Sequence, residues 1–319
     1  MLDPLILVRF VHIAATVLAA GTVGFVALVA EPAASAVTRP ADFTALRERL
    51  IVVVFIALAV AMLSGAVWLL LVAADIYGAS IVEVYLRGDV ASVLTDTRFG
   101  QVALARLMLA LLLGALLPWP GTQYLQLAVA AVLIALLALI GHAGATPGLA
   151  GRVHLATDIV HLLGASAWLG GLLPFVFLLS FAGRSAGGNW ATASVVATRR
   201  FSILGILSVG ALLVTGIIST WNLVGSIHAL TSTDYGRLLL LKIGLFAAMI
   251  YLASVNRLRL TPRLPAPGAL HRLQRNSMAE IGLGLCIVVI VGALGSISPA
   301  IHSHVHAADP STLPGQMPP

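Results

Sequence analysis

Hydrophobic residues are gathered into eight long runs along the chain, and short polar segments separate the runs. The runs cover residues 4–30, 50–74, 99–117, 122–141, 153–180, 201–225, 236–255 and 279–299. Their lengths lie near the roughly 20 residues that an α-helix needs to cross the hydrocarbon core of a bilayer. None of them alternates hydrophobic and polar residues, as the strands of a membrane barrel do. The pattern therefore predicts an all-α integral membrane protein of about eight transmembrane helices in a lipid bilayer.

The composition excludes an ordinary soluble protein. Hydrophobic residues make up 60% of the chain and charged residues only 9%, and the mean hydropathy is +1.04. Soluble domains carry about 25% charged residues. Residues 10–30 contain no charge and form a stretch too long for the hydrophobic region of a signal peptide, so we expect them to be retained as the first helix. The single cysteine, Cys286, has no partner for an intrachain disulfide.

The basic residues indicate how the helices are oriented in the membrane. Loops after the odd-numbered runs hold Arg39, Arg47, Arg49, Arg184, Arg199, Arg200, Arg257, Arg259, Arg263, Arg272 and Arg275. Loops after the even-numbered runs hold only Arg87, Arg98, Arg152 and Arg237. Because basic loops stay on the cytoplasmic side, both termini are predicted to lie in the periplasm of a bacterial inner membrane. The two basic residues deepest in the runs, Arg106 and Lys242, are expected to extend their side chains to the periplasmic interface.

The net charge of +6 does not indicate a nucleic-acid partner, because the basic residues are placed as membrane orientation requires. The chain contains no Gly-x-x-x-x-Gly-Lys-Ser/Thr motif, so we expect no nucleotide to bind. It offers no nucleophile or acid–base pair for which we predict catalysis. The protein is therefore not expected to be an enzyme.

Several motifs recur in the two halves of the chain. Equivalent pairs are His12 and His161, Gly21 and Gly170, Ser64-Gly65 and Thr215-Gly216, Thr97 and Thr233, Gly100 and Gly236, and Arg106 and Lys242. The recurrence predicts two parallel four-helix repeats, because four spans return the chain to its starting side. Residues 1–142 form the first half, 143–300 the second, and 301–319 a histidine-containing periplasmic tail. Membrane proteins built in this way often bind their ligand near the midplane between the repeats.

The histidines are the candidate ligands for a metal. Eight of the nine are predicted on the periplasmic side, and only His271 lies on the other. His154, Asp158 and His161 follow the spacing i, i+4, i+7, which places them on one helix face. At about 1.5 Å per residue, His161 lies roughly 14 Å into its span, where ionisable groups are costly and indicate a functional site.

Imidazole nitrogens suit copper, zinc, nickel and iron. The predicted metal ligands are His12, His142, His154, Asp158 and His161. The tail residues His302, His304 and His306 form a possible secondary site that captures metal in the periplasm. Two alternatives remain open: a haem held between His12 and His161, and simple hydrogen bonding between packed helices.

From His161 to Gly171 the sequence, HLLGASAWLGG, resembles the copper resistance protein D (CopD) family. The resemblance continues through Arg200-Phe201-Ser202, Thr215-Gly216, residues 233–237, Lys242, Asn256-Arg257, Glu280 and Ser298-Pro299-Ala300, and in the first half through residues 97–100 and Arg106. It implies an inner-membrane protein of copper homeostasis and resistance that moves copper from periplasm to cytoplasm. It also implies a periplasmic copper-binding partner (CopC-like), expected here as a separate chain. A copper sensor or assembly factor that does not transport is the other interpretation.

Overall fold

The computed structural model describes residues 3–37, 43–140, 148–184, 188–224, 226–264 and 268–297. The described residues form helices and contain no strand. The eight long helices are α1 Pro4–Ser35, α2 Phe43–Tyr77, α3 Arg98–Leu116, α4 Gln123–Leu139, α5 Gly151–Arg184, α6 Asn189–Trp221, α7 Asp234–Arg263 and α8 Ala269–Leu294. One further helical turn from Gly148 precedes α5, and the helix that contains α6 runs over Gly188–Val224.

Within the described part of the chain, seven of these helices are long and apolar enough to cross a membrane. The remaining one, α4, is a shorter apolar helix whose last turn, Leu136–Leu139, narrows to a 3₁₀ helix. It lies where the fourth span was predicted. The prediction of an all-α integral membrane protein is confirmed.

The first helix lies at the centre of the bundle. It packs against α2 and α4, and also against α5 and α8 of the second half. In its most apolar stretch, 72% of the residues are buried, compared with 11% in α7. The outer helices α2, α6 and α7 instead expose large hydrophobic side chains such as Leu63, Ile217 and Leu241. Such extensive apolar surface suits contact with lipid.

Short helices connect the long ones on the predicted periplasmic side. Ile81–Arg87 and Asp89–Asp96 precede α3, and Ile227–Ser232 precedes α7. Because hydrogen bonds from Ser80 stabilise its charged form, the pKa of Glu83 in the first of these helices is lowered.

The long helices α3 and α7 begin in the same way. The Thr97 hydroxyl accepts a hydrogen bond from the Gly100 amide at 3.0 Å, and the Thr233 hydroxyl accepts one from the Gly236 amide at 3.0 Å. In both cases a side chain on the glycine would collide with the backbone of the preceding short helix. These shared starts support the predicted repeat.

Helices α1 and α5 cross with almost no space between their backbones. A Cβ atom on Gly21 would overlap the backbone of Ser166 and Gly170, and one on Gly170 would overlap Val17. The Ser166 hydroxyl donates a hydrogen bond to the Val17 carbonyl at 3.3 Å across the same contact. The two helices therefore meet at two glycines that the predicted repeat relates.

Candidate functional site

In the first half, His12 on α1 is enclosed by α2 and α3. Its Nδ1 atom lies 2.9 Å from the Ala61 carbonyl oxygen and 3.2 Å from the Ser64 hydroxyl. Its Nε2 atom lies 2.8 Å from a guanidinium nitrogen of Arg106. The edge of the ring faces Trp68, with the ring centroids 5.5 Å apart. Only 6% of His12 is exposed, so both ring nitrogens are held inside the bundle.

Arg106 joins three helices of the first half. Its guanidinium donates to the Leu133 carbonyl on α4 at 2.8 Å and to the Thr16 hydroxyl on α1 at 3.2 Å, in addition to its contact with His12. The residue is 5% exposed. The expected reach to the membrane interface is therefore wrong for Arg106, because carbonyl, hydroxyl and imidazole acceptors inside the bundle take its hydrogen bonds.

These contacts determine the tautomer of His12. A carbonyl oxygen only accepts hydrogen bonds, so Nδ1 carries a proton and donates it to Ala61. A guanidinium only donates, so Nε2 carries none and accepts from Arg106. His12 is therefore a neutral ring whose single lone pair is already occupied.

We expect the ¹⁵N spectrum of histidine-labelled protein to show His12 as the neutral Nδ1-protonated tautomer, identified by its loss in His12→Ala. Replacing exposed His228 with alanine should leave this signal unchanged. A His12 ring protonated at Nε2, or at both nitrogens, would contradict the arrangement with Arg106.

In the second half, His161 on α5 makes a comparable contact with α6. Its Nδ1 atom lies 2.9 Å from the Thr215 hydroxyl, which itself donates to the Ala211 carbonyl at 2.6 Å. Because that hydroxyl proton is used, the imidazole donates through Nδ1 and leaves the lone pair on Nε2. Lys242 on α7 interacts electrostatically with His161. The described residues place no hydrogen-bond donor on His161 Nε2.

Acidic and basic side chains lie near His161 on α5 and α7. On the preceding turns of α5, His154 Nε2 lies 3.8 Å from the Asp158 carboxylate. Asp158 also interacts electrostatically with Lys242 and Tyr235 of α7. The structure thus brings His154 and Asp158 together, as their spacing predicted, and links Asp158 to the lysine beside His161.

The two halves use equivalent positions for these contacts. His12 meets Ser64 and Arg106, whereas His161 meets Thr215 and Lys242. They differ at Nε2, which Arg106 occupies in the first half. The sequence showed that Arg106 and Lys242 correspond, but not that each lies beside a histidine.

Within the described residues, no group of three or more histidine, cysteine, aspartate or glutamate side chains is close enough to hold a metal ion. The candidate ligands His142, His302, His304 and His306 lie outside the described residues. Metal binding by the five predicted ligands stays a prediction.

Comparison with known proteins indicates copper as the metal. A family model described as copper resistance protein D matches residues 195–294, and one described as copper resistance protein D-like, N-terminal domain, matches residues 1–153. The chain is 31% identical to inner membrane protein YebZ of Escherichia coli K12 over 208 residues, which cover 64% of this chain and 70% of the relative.

Two further relatives are named for copper. The chain is 28% identical to copper resistance protein D of Pseudomonas syringae pv. tomato over 252 residues, 75% of this chain and 70% of that one. It is 32% identical to copper transport protein CutJ of Bacillus subtilis 168 over 145 residues, 46% of this chain but only 25% of CutJ. No solved structure matches the chain.

Proposed function

The chain belongs to the copper resistance protein D family, and from this premise we propose that it binds copper inside the bundle and moves it from the periplasm to the cytoplasm. It is a multi-pass protein of the inner membrane. Copper is its cargo rather than a resident cofactor.

The observation that carries the proposal is the contact between His154 and Asp158 on α5, on the two turns that precede His161. One imidazole–carboxylate pair already lies at 3.8 Å, and His161 keeps the Nε2 lone pair that a metal needs. Imidazole is a good ligand for copper, and a carboxylate either ligates the metal or orients a histidine that does. Helix packing alone does not require an acidic group beside a histidine within a predicted span.

In this proposal the first half does not bind copper in the conformation described here. Because Arg106 occupies His12 Nε2, His12 becomes a copper ligand only when that guanidinium moves away. We therefore assign the first binding step to the second half. The predicted participation of His12 belongs to a later conformation, in which Arg106 has changed partners.

Delivery of copper completes the proposal. His142 and the tail histidines His302, His304 and His306 receive copper at the periplasmic face, supplied by a separate copper-binding protein. Alternating imidazoles in such a tail suit transient metal capture. The direction of transport and this partner rest on the family resemblance.

The test is the metal content and optical spectrum of the full-length protein purified in detergent. We expect about one copper per chain in the wild type, and loss of that copper in His161→Ala. The change Asp158→Asn should weaken copper binding by about 10- to 100-fold, the usual cost of losing a group that orients a ligand. The matched control is His228→Ala, since His228 is exposed and lies on the same predicted side.

Copper retained in His161→Ala, or lost equally in His228→Ala, would contradict the proposed site. A haem Soret band that depends on His161 would replace it with the electron-carrier interpretation. Copper binding without uptake into vesicles that contain only this chain would leave the site in place and favour the copper sensor or assembly factor.

A further inference from the structure

A second candidate site lies in the same half of the chain as His161, further along α5 and α7. An open cavity of about 180 Å³ is lined by α5, α6, α7 and α8. Trp168 lines it seven residues after His161 on α5, which places it about 10 Å further along the helix. Asn256 lines it fourteen residues after Lys242 on α7, or about 21 Å further along. By the predicted orientation this is the cytoplasmic half of the membrane.

Glu280 is the acidic group of this cavity. It lies on α8 and is only 2% exposed. The Asn256 amide donates a hydrogen bond to its carboxyl oxygen at 2.6 Å, and the Trp168 side chain forms a second hydrogen bond with it. Asn276 in turn donates to the Asn256 amide oxygen at 3.0 Å, which fixes the orientation of that amide.

The backbone of α7 positions Asn256. The helix widens into a π turn over Asn256–Leu260, and the Thr261 hydroxyl donates to the Asn256 carbonyl at 2.8 Å. A π turn inserted in an α-helix is frequently found at a functional site. Here it brings the amide that contacts Glu280 to the edge of the cavity.

The charges around Glu280 are few. Among the residues that line the cavity from the four helices, only Arg257 and Glu280 are ionisable. Arg257 donates to the Ser202 hydroxyl at 2.6 Å, and no basic group in the described chain forms an ion pair with Glu280. The basic residues His271, Arg272 and Arg275 at the start of α8 are exposed and do not line the cavity.

A carboxylate in this setting has hydrogen bonds from neutral groups but no cation beside it. Burying an isolated ionised carboxylate is so costly that the group usually takes up a proton instead. Apart from the Arg257 guanidinium and the Trp168 indole, the other polar side chains around the cavity are amides and hydroxyls, and none of these groups is a good ligand for a soft metal such as Cu(I). The ligand that fits the site is a proton.

We propose that Glu280 binds and releases a proton through this cavity, on the side of the bundle opposite the candidate metal ligands His154, Asp158 and His161. The proton moves between the Glu280 carboxyl group and water that enters past Arg257. Asn256 and Trp168 hold the carboxyl group in place and donate to it in either state. This inference does not depend on copper binding.

The test uses dicyclohexylcarbodiimide, an apolar reagent that enters membranes and reacts with protonated carboxyl groups to give a stable N-acylurea. Full-length protein in lipid nanodiscs is treated between about pH 5 and about pH 9, a range wide enough to cover protonation of a buried carboxyl group. The modified residue is identified by mass spectrometry. We expect modification at Glu280 that falls at least tenfold across this range.

Two controls accompany the experiment. The exposed carboxyl group of Glu48 should give much less N-acylurea than Glu280 in the same samples, because water hydrolyses the reactive intermediate at an exposed site. The variant Trp168→Phe removes one hydrogen bond to the carboxyl group, so the pH of half-modification should shift upwards. Labelling absent from Glu280 at every pH would overturn the proposal, and so would labelling that does not change with pH.

Discussion

The variant Gly170→Ala is expected to lower the free energy of unfolding by about 3 kcal/mol or more, at the upper end of the usual cost of overpacking. A methyl group at this position would overlap the Val17 carbonyl, and the nearest atoms belong to backbone rather than to flexible side chains. Helices α1 and α5 must therefore separate. The separation would disturb the contacts of α1 with its other neighbours. Unfolding by heat or by a denaturing detergent measures the loss.

The same substitution at another helix position provides the control. At Gly244 on α7 and Gly210 on α6, no atom of a neighbouring helix lies within 4 Å of the place that an added methyl group would take. Alanine there should be neutral or stabilise the helix by up to about 1 kcal/mol, the intrinsic difference between the two residues. Gly21→Ala should be as damaging as Gly170→Ala. Equal stability of Gly170→Ala and Gly244→Ala would mean that the two helices do not cross as closely as described.

The variant Arg106→Met is expected to cost about 3 kcal/mol of stability, because methionine fills a similar length but donates no hydrogen bond. The change leaves His12 Nε2, the Thr16 hydroxyl and the Leu133 carbonyl without their shared donor. Each buried acceptor left unpaired costs about 1–3 kcal/mol, and the relief of a buried charge offsets part of the sum. Thermal unfolding of the purified protein is again the measurement.

Arg87→Met is the matched control for this loss. Arg87 is 59% exposed and its contact with Glu83 at 3.8 Å is a surface ion pair, worth about 0–1 kcal/mol. Stability should therefore change little. If Arg106→Met were equally harmless, the hydrogen bonds of Arg106 would not stabilise the first half. The contact between Arg106 and His12 would then be no barrier to ligand binding at His12.

The hydrophobic pattern predicted the long helices well, because any helix that crosses a membrane needs an apolar stretch of about 20 residues. The third run, 99–117, corresponds to α3 at Arg98–Leu116. The second run, 50–74, is shorter than α2 at Phe43–Tyr77, because the helix continues past its apolar part with a mixture of polar residues. Hydropathy locates the part of a helix that lies within the membrane, whereas the residues at which the helix begins and ends depend on local hydrogen bonding.

The candidate site was predicted less completely. Spacing along one helix brought together His154 and Asp158, since residues four apart share a face. Spacing does not reveal partners on other helices, so the contact between His12 and Arg106, 94 residues apart, was missed. The family resemblance named Glu280, but only the packing of α8 against α5 and α7 shows that it is buried with Asn256 and Trp168.

The glycine contact between α1 and α5 also limits how the protein can move. His161 precedes Gly170 on α5 by nine residues, and the cavity-lining residues Trp168 and Leu172 lie on either side of the glycine. Because the two backbones are in contact at Gly21 and Gly170, neither helix can move closer to the other at this crossing. A tilt of one half against the other would therefore pivot at the contact between Gly21 and Gly170. Such a tilt would carry the surroundings of His161 and the cavity along together, because both are built from α5, α6 and α7 of the second half.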